Sequence, residues 1–286
     1  MTAQKFVAAC AGMRSGRDPI RNRDAAIAMV REAADRGAHF VQTPEMTSLI
    51  ERSRASLFEK VGPEETDVTL AGLREAARET GLTIHIGSIA VRSGDKIANR
   101  AYVIDGEGEI TARYDKVHLF DVDLPNGESW RESATYTGGD KAVLADTPWG
   151  LLGLTICYDV RFPALYRALA EAGASMLSAP ACFTRQTGEA HWHVLHRARA
   201  IETGSFMISA AQGGVHEDGR ETFGHSVIID PWGRVLADGT SEPGLVMAEI
   251  DLSLVADARG RIPTLKHGRP FTVEVARAAP RLAAAE

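Results

Sequence analysis

Cysteine is scarce in this 286-residue sequence, and the cysteines that are present have no C-x-x-C spacing. They are Cys10, Cys157 and Cys182. An odd number of cysteines at these spacings indicates neither a disulfide framework nor a cysteine zinc site. We therefore interpret all three as free thiols of a protein that works in a reducing compartment.

Long apolar runs and an excess of positive charge are also missing. No segment offers the roughly 20 consecutive apolar residues that a membrane-spanning helix needs, and residues 1–7 lack the apolar core of a signal peptide. The formal net charge of −6 argues against a broad nucleic-acid surface, because the phosphate backbone requires clustered lysine and arginine. We expect a cytoplasmic protein that binds neither membranes nor nucleic acids.

Several catalytic signatures are absent as well. The chain has no G-x-S-x-G elbow, no GxxxxGK(S/T) phosphate loop and no GxGxxG after its opening strand, so serine-hydrolase and nucleotide-binding functions lack their motifs. His191, His193 and His196 lie two, three and five residues apart, unlike the i, i+4 pair of a zinc helix. We expect these histidines on the surface and core edge of a helix, and we expect no metal and no cofactor.

The apolar residues that are present follow patterns typical of strands and helices. In the first part of the chain, these patterns predict strands over 5–10, 39–42 and 83–91 and helices over 20–36 and 68–80. In the second part, they predict strands over 151–156, 174–179 and 205–211 and helices over 163–172 and 189–203. This twofold β-α-β-α-β order is typical of an α/β sandwich, in which helices cover a sheet.

Two similar hairpin sequences accompany these elements. Residues 103–110 and 228–235 each place Asp and then Gly between two β-rich arms, which predicts antiparallel hairpins. Such hairpins suggest two sheets or one mixed sheet rather than a simple Rossmann layer. Because no change in composition marks a linker, we expect one domain over residues 1–286, with its core at about 5–270 and a tail over 271–286 that is extended or partly disordered.

Cys157 stands at a position that favours chemistry without proving it. The apolar strand over 151–156 ends directly before it, and Pro163 then occupies the favoured first position of a helix. Backbone N–H groups in such a turn favour a thiolate and can stabilise a developing oxyanion. The alternative is a packing cysteine, because free cysteine is among the most buried residue types, and the local pattern does not decide between the two.

A base for a cysteine nucleophile could be a histidine or a carboxylate. None of the nine histidines stands in a papain-like context. Glu45 lies just beyond the strand over 39–42, and Lys116 lies just past the strand that returns from the first hairpin. The carboxyl ends of parallel strands meet at one edge of a sheet, where α/β folds build their sites. The loop over 122–141 carries Glu128 and Glu132, and loops of this length tend to be functional.

Three sequence blocks resemble the catalytic blocks of the nitrilase, or carbon–nitrogen hydrolase, superfamily. They are Pro44-Glu45, residues 114–121 (YDKVHLFD) and residues 155–163 (TICYDVRFP), in the family's order. The similarity extends through 187–192 (TGEAHW), 197–202 (RARAIE) and 224–233 (GHSVIIDPWG) and covers about residues 5–270. Within the superfamily, the second block and the TGEAHW segment resemble the Nit branch, which includes deaminated-glutathione amidase and ω-amidase.

The resemblance implies a four-layer α-β-β-α sandwich that forms a homodimer or a higher homo-oligomer. It assigns Cys157 as the nucleophile, Glu45 as the general base, Lys116 as the cationic partner of the intermediate and Glu132 as the second glutamate of the site. The backbone N–H of Tyr158 joins Lys116 in stabilising the oxyanion. The implied enzyme is an amidase that hydrolyses a carboxamide bond of a small acidic substrate, such as deaminated glutathione or an ω-amide, through a cysteine thioester without a cofactor.

The resemblance also suggests how the substrate is held. The expected substrate-binding residues are Phe183, Thr184, Arg185, Thr187 and His191. Substrates of the branch carry an α-keto acid carboxylate, so Arg185 is the candidate for binding that group. Arg161 is expected to have a structural role, paired with an acidic neighbour such as Asp159. A nitrilase or an N-carbamoyl-amino-acid amidohydrolase would keep the same catalytic residues, and a non-catalytic binding protein of this fold is a third alternative.

Overall fold

The computed structural model describes residues 5–125 and 127–276 of the chain. Its helices are α1 (Pro19–Asp35), α2 (Arg54–Lys60), α3 (Val68–Thr80), α4 (Pro163–Glu171), α5 (Arg185–Thr203) and α6 (Ser253–Arg261). Short 3-10 helices span Glu64–Thr66, Glu132–Ala134 and Cys157–Arg161. The strands are β1 (Lys5–Gly12), β2 (Phe40–Gln42), β3 (Thr83–Ser93), β4 (Lys96–Ile104), β5 (Ile110–Asp115), β6 (Asp121–Asp123), β7 (Ser129–Arg131), β8 (Tyr136–Thr137), β9 (Val143–Thr147), β10 (Gly150–Leu154), β11 (Met176–Ser178), β12 (Phe206–Ser209), β13 (Gly213–Val215), β14 (Glu221–Phe223), β15 (Val227–Ile229), β16 (Val235–Asp238) and β17 (Gly244–Asp251).

Two large sheets share one design. The first has the order β17-β1-β2-β3-β4-β5, with β8 paired to β4, and the second has the order β16-β15-β12-β11-β10-β9. Strands β1, β2 and β3 are mutually parallel, as are β10, β11 and β12. The hairpins β4–β5 and β15–β16 extend the two sheets in antiparallel fashion. The predicted twofold β-α-β-α-β order and both predicted hairpins are therefore confirmed.

The layers follow from the apolar faces of the elements. Helices α1 and α3 bury Val30 and Leu73 against one face of the first sheet. The opposite face of that sheet packs on the second sheet, where Phe6 of β1 stacks on Trp149, with 4.2 Å between the ring centroids. Helices α4 and α5 cover the outer face of the second sheet. The four-layer α-β-β-α sandwich is thus confirmed.

Helix ends show where local signals suffice and where they do not. Helix α3 runs over the predicted range, because the Asp67 side chain accepts a hydrogen bond from the backbone N–H of Leu70 and Gly81 ends the helix at φ 71°. Helix α5 begins at Arg185, four residues before the predicted start at 189. Its first turn has little apolar periodicity and is held instead by tertiary packing, since Gly188 lies directly against Phe223.

Smaller elements around the site were not predicted. They are α2 and the two-stranded pairs β6–β7 and β13–β14. Short antiparallel pairs of this kind have weak periodicity and depend on packing for their stability. All three lie in segments between the main elements, and α2, β7 and the turn between β13 and β14 each contribute side chains to the cavity described below.

The predicted tail falls only partly within the described residues. Residues 271–276 have no regular secondary structure, and their apolar side chains are largely exposed, with Phe271 at 87%. Residues 277–286 lie outside the described residues. No helix in the described ranges is long and apolar enough to cross a membrane.

Candidate active site

Glu45, Lys116 and Cys157 meet where strands of the two sheets end. Glu45 follows β2 by three residues, Lys116 follows β5 directly and Cys157 follows β10 by three residues. The Nζ atom of Lys116 lies 2.8 Å from Oε1 of Glu45, and the Cys157 side chain interacts with the Glu45 carboxylate. The other oxygen of Glu45, Oε2, accepts a hydrogen bond of 2.8 Å from the backbone N–H of Cys182. The structure therefore brings together the three residues that the sequence blocks singled out.

Glu132 completes a buried charged network around Lys116. Its Oε2 atom lies 2.9 Å from Lys116 Nζ and accepts a hydrogen bond of 2.7 Å from the backbone N–H of Phe120. The amide nitrogen of Asn99 donates to Oε1 of Glu45 at 2.9 Å and to Oε1 of Glu132 at 3.1 Å. Asn99 was not predicted, because it lies inside β4 and its sequence context is that of an ordinary strand residue.

The network sets the charge states of its members. Burial acts to raise the pKa of the Glu45 carboxyl, but the charge of Lys116 and the hydrogen bonds that Glu45 receives outweigh it, so the pKa lies below its usual value. Burial acts to lower the pKa of Lys116, but the charges of Glu132 and Glu45 outweigh it and raise the pKa well above its usual value. At neutral pH the site therefore holds a carboxylate at Glu45 and an ammonium at Lys116.

Cys157 is held as a neutral thiol. Burial and, next, the charge of Glu45 raise the pKa of Cys157 well above its ordinary value, although Lys116 acts in the opposite direction. The backbone N–H groups of the turn favour a thiolate, but desolvation and the carboxylate neighbour act more strongly in the opposite direction. Only 7% of the residue surface is exposed, but that surface faces the cavity. The thiol needs a base before it can react.

The backbone at Cys157 has an unusual conformation that the surrounding residues stabilise. Its φ of 48° lies in the left-handed region, which side-chain-bearing residues rarely adopt. The backbone N–H of Cys157 donates to the carbonyl of Pro180 at 2.9 Å, and the 3-10 helix Cys157–Arg161 follows at once. A strained backbone of this kind persists only where its surroundings hold it, and such residues cluster at functional sites.

Asp159 provides that support, and it does so without Arg161. Its carboxylate is fully buried and accepts hydrogen bonds from the Tyr114 hydroxyl at 2.7 Å, from the backbone N–H of Ile156 at 2.9 Å and from the backbone N–H of His118 at 3.0 Å. The expected pair between Asp159 and Arg161 is wrong, because these closer donors occupy the carboxylate. Its contacts instead fix the Cys157 turn to the segment that carries Lys116.

A cavity of about 310 Å³ opens onto Glu45, Lys116, Glu132 and Cys157. Phe183, Thr184 and Thr187 line it, as expected. Arg185 does not reach the cavity, because its side chain is 58% exposed and pairs with Glu189 at 2.9 Å and Glu221 at 2.6 Å. The early start of α5 places Arg185 on the outer surface of the first helical turn.

His191 and Arg161 form a contact of their own near the cavity. His191 is exposed and does not line the cavity, and its Nδ1 atom lies 3.2 Å from a guanidinium nitrogen of Arg161. The Arg161 guanidinium lies over the rings of Phe183, at 5.1 Å, and Tyr158, at 6.0 Å. Among the described residues, no carboxylate lies within 4.0 Å of it, and burial lowers the pKa of Arg161. This position over two aromatic rings could not be predicted, because it depends on Phe183, which is distant in the sequence.

The other two histidines of α5 have different surroundings, as their spacing predicted. His196 is fully buried, and burial lowers its pKa to about 3. His193 is half-buried and contacts Asp238, which also contacts His225. The possible ligand atoms of these last three residues lie within 4.8 Å of one another, but both histidines already hydrogen-bond the aspartate. None of the three lines the catalytic cavity.

Comparisons with known proteins agree with this geometry. The carbon-nitrogen hydrolase family model matches residues 7–260. The chain is 40% identical over 238 residues to a deaminated glutathione amidase of Yersinia enterocolitica, covering 82% of each chain. It superposes on the NitFhit protein of C. elegans with a TM-score of 0.88 at 35% identity, covering 94% of this chain and 66% of that one.

A further solved structure is a mutant of the amidase from Nesterenkonia sp. AN1, in which acrylamide has undergone Michael addition at the active-site cysteine. This structure matches with a TM-score of 0.75 at 26% identity, covering 90% of this chain and 98% of that one. The family model alone spans most of the chain, and the structural matches extend over the same sandwich. The chain therefore belongs to the carbon-nitrogen hydrolase family of the nitrilase superfamily.

Proposed function

We propose that the protein is an amidase that hydrolyses a carboxamide bond of a small acidic substrate through a thioester on Cys157. The observation that carries the proposal is the contact of Glu45, Lys116 and Cys157 at one end of the cavity, with the carboxylate and the ammonium both charged. The amidase name of the Yersinia relative supports deaminated glutathione, an α-keto acid joined by an amide to cysteinylglycine, as the substrate.

The first half-reaction forms the thioester. Glu45 accepts the thiol proton while the Cys157 sulfur attacks the amide carbon, and the carbonyl oxygen becomes an oxyanion. The Lys116 ammonium and the backbone N–H of Tyr158 are the proposed donors to that oxyanion. When the intermediate collapses, the carbon–nitrogen bond breaks and the protonated Glu45 delivers its proton to the departing amine. Cys157 then carries the acyl group, and Glu45 is again a carboxylate.

The second half-reaction releases the acid. Glu45 accepts a proton from a water molecule, whose oxygen attacks the thioester carbon through a second oxyanion. The carbon–sulfur bond then breaks, and the sulfur takes the proton back from Glu45. Glu132 acts as a positioning residue, because its carboxylate lies 2.9 Å from the Lys116 ammonium and is a second partner to it beside Glu45. No step requires a metal or an organic cofactor.

Arg161 is the proposed partner of the substrate's α-keto acid carboxylate. Its guanidinium lies over Phe183 and Tyr158, which line the cavity, and burial without a nearby carboxylate leaves its charge unbalanced. A bound carboxylate would supply the missing acceptor. Arg161 therefore replaces Arg185 in the role that the sequence suggested. Phe183, Thr184 and Thr187 are the proposed walls of this part of the pocket.

The test compares the wild type with Cys157→Ala on two amides. Deaminated glutathione is followed by release of cysteinylglycine, and α-ketoglutaramate, an ω-amide, is followed by release of ammonia. We expect wild-type turnover with a transient acyl adduct on Cys157 by mass spectrometry, and none with the variant. A wild type that hydrolyses neither amide would contradict the proposed substrate class, and turnover of a nitrile or an N-carbamoyl amino acid would then favour those relatives.

We also propose a cytoplasmic homodimer. The exposed apolar side chains of Val194 and Ile201 on α5 and of Trp232 in the β15–β16 turn support a self-association surface. The three free cysteines suit a reducing compartment. Size-exclusion chromatography with light scattering should give twice the mass of one chain, and Val194→Glu should shift the protein toward the monomer.

A further inference from the structure

We propose that Arg220 forms a second anion-binding subsite, which holds a carboxylate carried by the leaving amine. This inference rests on the proposed amidase function and extends it to the other side of the scissile bond. For a dipeptide leaving group such as cysteinylglycine, the bound group would be its terminal carboxylate. With this subsite, the cavity would favour an amide of a carboxylate-bearing amine over an amide that releases ammonia.

Arg220 is a buried cation whose hydrogen-bonding capacity is not filled. It lines the catalytic cavity, and its Nε–H is buried without a hydrogen-bond partner among the described residues. One terminal nitrogen donates to the Sγ atom of Cys182 at 3.5 Å. The nearest carboxylate, Asp218, lies 3.9 Å away, beyond hydrogen-bonding distance. A guanidinium presents a planar fork of donors, and here that fork lacks the planar acceptor that would satisfy it.

The surroundings of Arg220 favour an anion. Its guanidinium lies 4.6 Å from the ring centroid of Trp130, and Arg52 lies over the same ring at 4.9 Å. Both arginines line the cavity, and no carboxylate of the described residues lies within 4.0 Å of Arg52. Arg131, which also lines the cavity, differs because Asp123 neutralises it with two contacts of 2.9 Å. Asp218 faces Arg220 at 3.9 Å, so the charge at this end of the cavity that no nearby carboxylate balances is that of Arg52.

The position of Glu45 assigns this end of the cavity to the leaving group. A general acid must lie within hydrogen-bond reach of the nitrogen that it protonates, so the departing amine has to extend along the Glu45 side. Cys182 connects that side to Arg220, because its backbone N–H donates to Glu45 and its sulfur accepts from Arg220. Arg161, the proposed partner of the acyl carboxylate, contacts a different set of side chains, Phe183, Tyr158 and His191.

The experiment uses three amides that share one α-ketoglutaryl acyl group. The first is deaminated glutathione, the second is its C-terminal carboxamide and the third is α-ketoglutaramate. For the wild type, we expect kcat/KM to fall about tenfold from the first to the second, since a charge-assisted hydrogen bond contributes roughly that much. Arg220→Met should lower kcat/KM for the first amide about 10- to 100-fold, mainly through KM, and should leave the other two nearly unchanged.

Two further variants separate binding from folding. Arg220→Lys keeps the charge but loses the fork, so it should recover part of the activity on deaminated glutathione. Arg36→Met removes an exposed arginine that pairs with Glu32 on α1 and serves as the matched control, with no effect on any substrate. Thermal unfolding shows whether each variant is folded, and the wild-type comparison of the first two amides does not depend on any variant.

The outcomes distinguish the subsite from the proposed function. If Arg220→Met slows all three amides equally, or none, or if the wild type does not discriminate between the first two, the subsite is wrong while the amidase function stands. If the wild type hydrolyses none of the three, the proposed function fails and the subsite fails with it. Selective loss on deaminated glutathione supports both.

Discussion

The two sheets repeat one architecture and differ in the chemistry at their strand ends. Each has three parallel strands, followed in the chain by an antiparallel hairpin. The first sheet supplies charged groups, Glu45 after β2 and Lys116 after β5, whereas the second supplies the neutral thiol of Cys157 after β10. The sandwich thus joins a charged network from one sheet to the thiol of the other, the proposed nucleophile, at a single cavity.

The groups at the strand ends of the first sheet (the first end) and of the second sheet (the second end) are also stabilised in different ways. At the first sheet, the Lys116 ammonium pairs with two carboxylates, Glu45 and Glu132, in a buried charged network. At the second, the left-handed backbone of Cys157 is held by hydrogen bonds, above all those of Asp159. A change at the first end should therefore shift the pKa values of its neighbours, and a change at the second should shift geometry and stability. The predictions below test this contrast.

Removing the proposed nucleophile should have the largest effect. Cys157→Ala deletes the group that forms the thioester, so we expect kcat on deaminated glutathione to fall by at least about 10⁴-fold. Release of cysteinylglycine measures the loss. Cys10→Ala is the matched control, because Cys10 is a buried thiol of β1 that does not line the cavity, and its kcat should not change. Substantial turnover by Cys157→Ala would contradict the thioester mechanism.

Lys116→Met should have the second-largest effect. We expect kcat to fall by about 10²- to 10³-fold, the usual cost of losing an oxyanion donor. The variant also leaves Glu45 and Glu132 without their shared cation, so the pKa of Glu45 should rise. The acid limb of the pH profile of kcat/KM should therefore move to higher pH.

In the wild type that acid limb should lie below the usual carboxyl pKa, because the pKa of Glu45 is lowered. The same shift stabilises the fold above that usual value, and the stabilisation is lost as the pH falls through the lowered pKa. Lys5→Met, which removes an exposed lysine paired with Glu249, is the control and should leave the profile unchanged. If the acid limb of Lys116→Met stays at the wild-type pH, the proposed difference between the charged network and the Cys157 turn is wrong.

Asp159→Asn should act on the second end through geometry. Asn offers one acceptor oxygen where the carboxylate offers two, so we expect the free energy of unfolding to fall by about 2 kcal/mol. Urea denaturation measures this change. The kcat should fall more than KM changes, while the acid limb should stay in place. Asp257→Asn, at an exposed pair with Arg261 on α6, is the control for both measurements. A shifted acid limb would show that the two ends are not separate.

Asn99→Ala should have the smallest effect, about tenfold in kcat/KM, because it removes one donor shared by Glu45 and Glu132. Without that donor the pKa of Glu45 should rise slightly, and the acid limb should follow. Steady-state kinetics over a pH range that extends below the usual carboxyl pKa would show both changes. A loss in kcat/KM with no movement of the limb would assign Asn99 to packing rather than to the charged network.

Much of the fold could be predicted because its signals are local. Helix α3 and both hairpins follow from capping residues, apolar periodicity and turn residues. The start of α5 could not, because its first turn depends on packing of Gly188 against Phe223, which is distant in the sequence. For the site, the sequence placed Glu45, Lys116 and Cys157 at strand ends, but it assigned Arg185 to a carboxylate that its surface position cannot reach.

The sequence by itself determined the twofold order of strands and helices, the family, and the residues that stand just beyond strands β2, β5 and β10. These properties depend on periodicity and on motifs within a few residues of one another. The tertiary structure decided the neutral state of the Cys157 thiol, the support from Asn99 and Asp159, the position of Arg161 over Phe183 and Tyr158, and the unpaired Nε–H of Arg220. Those properties depend on burial and on distances between segments that are far apart in the chain, and no local pattern encodes either.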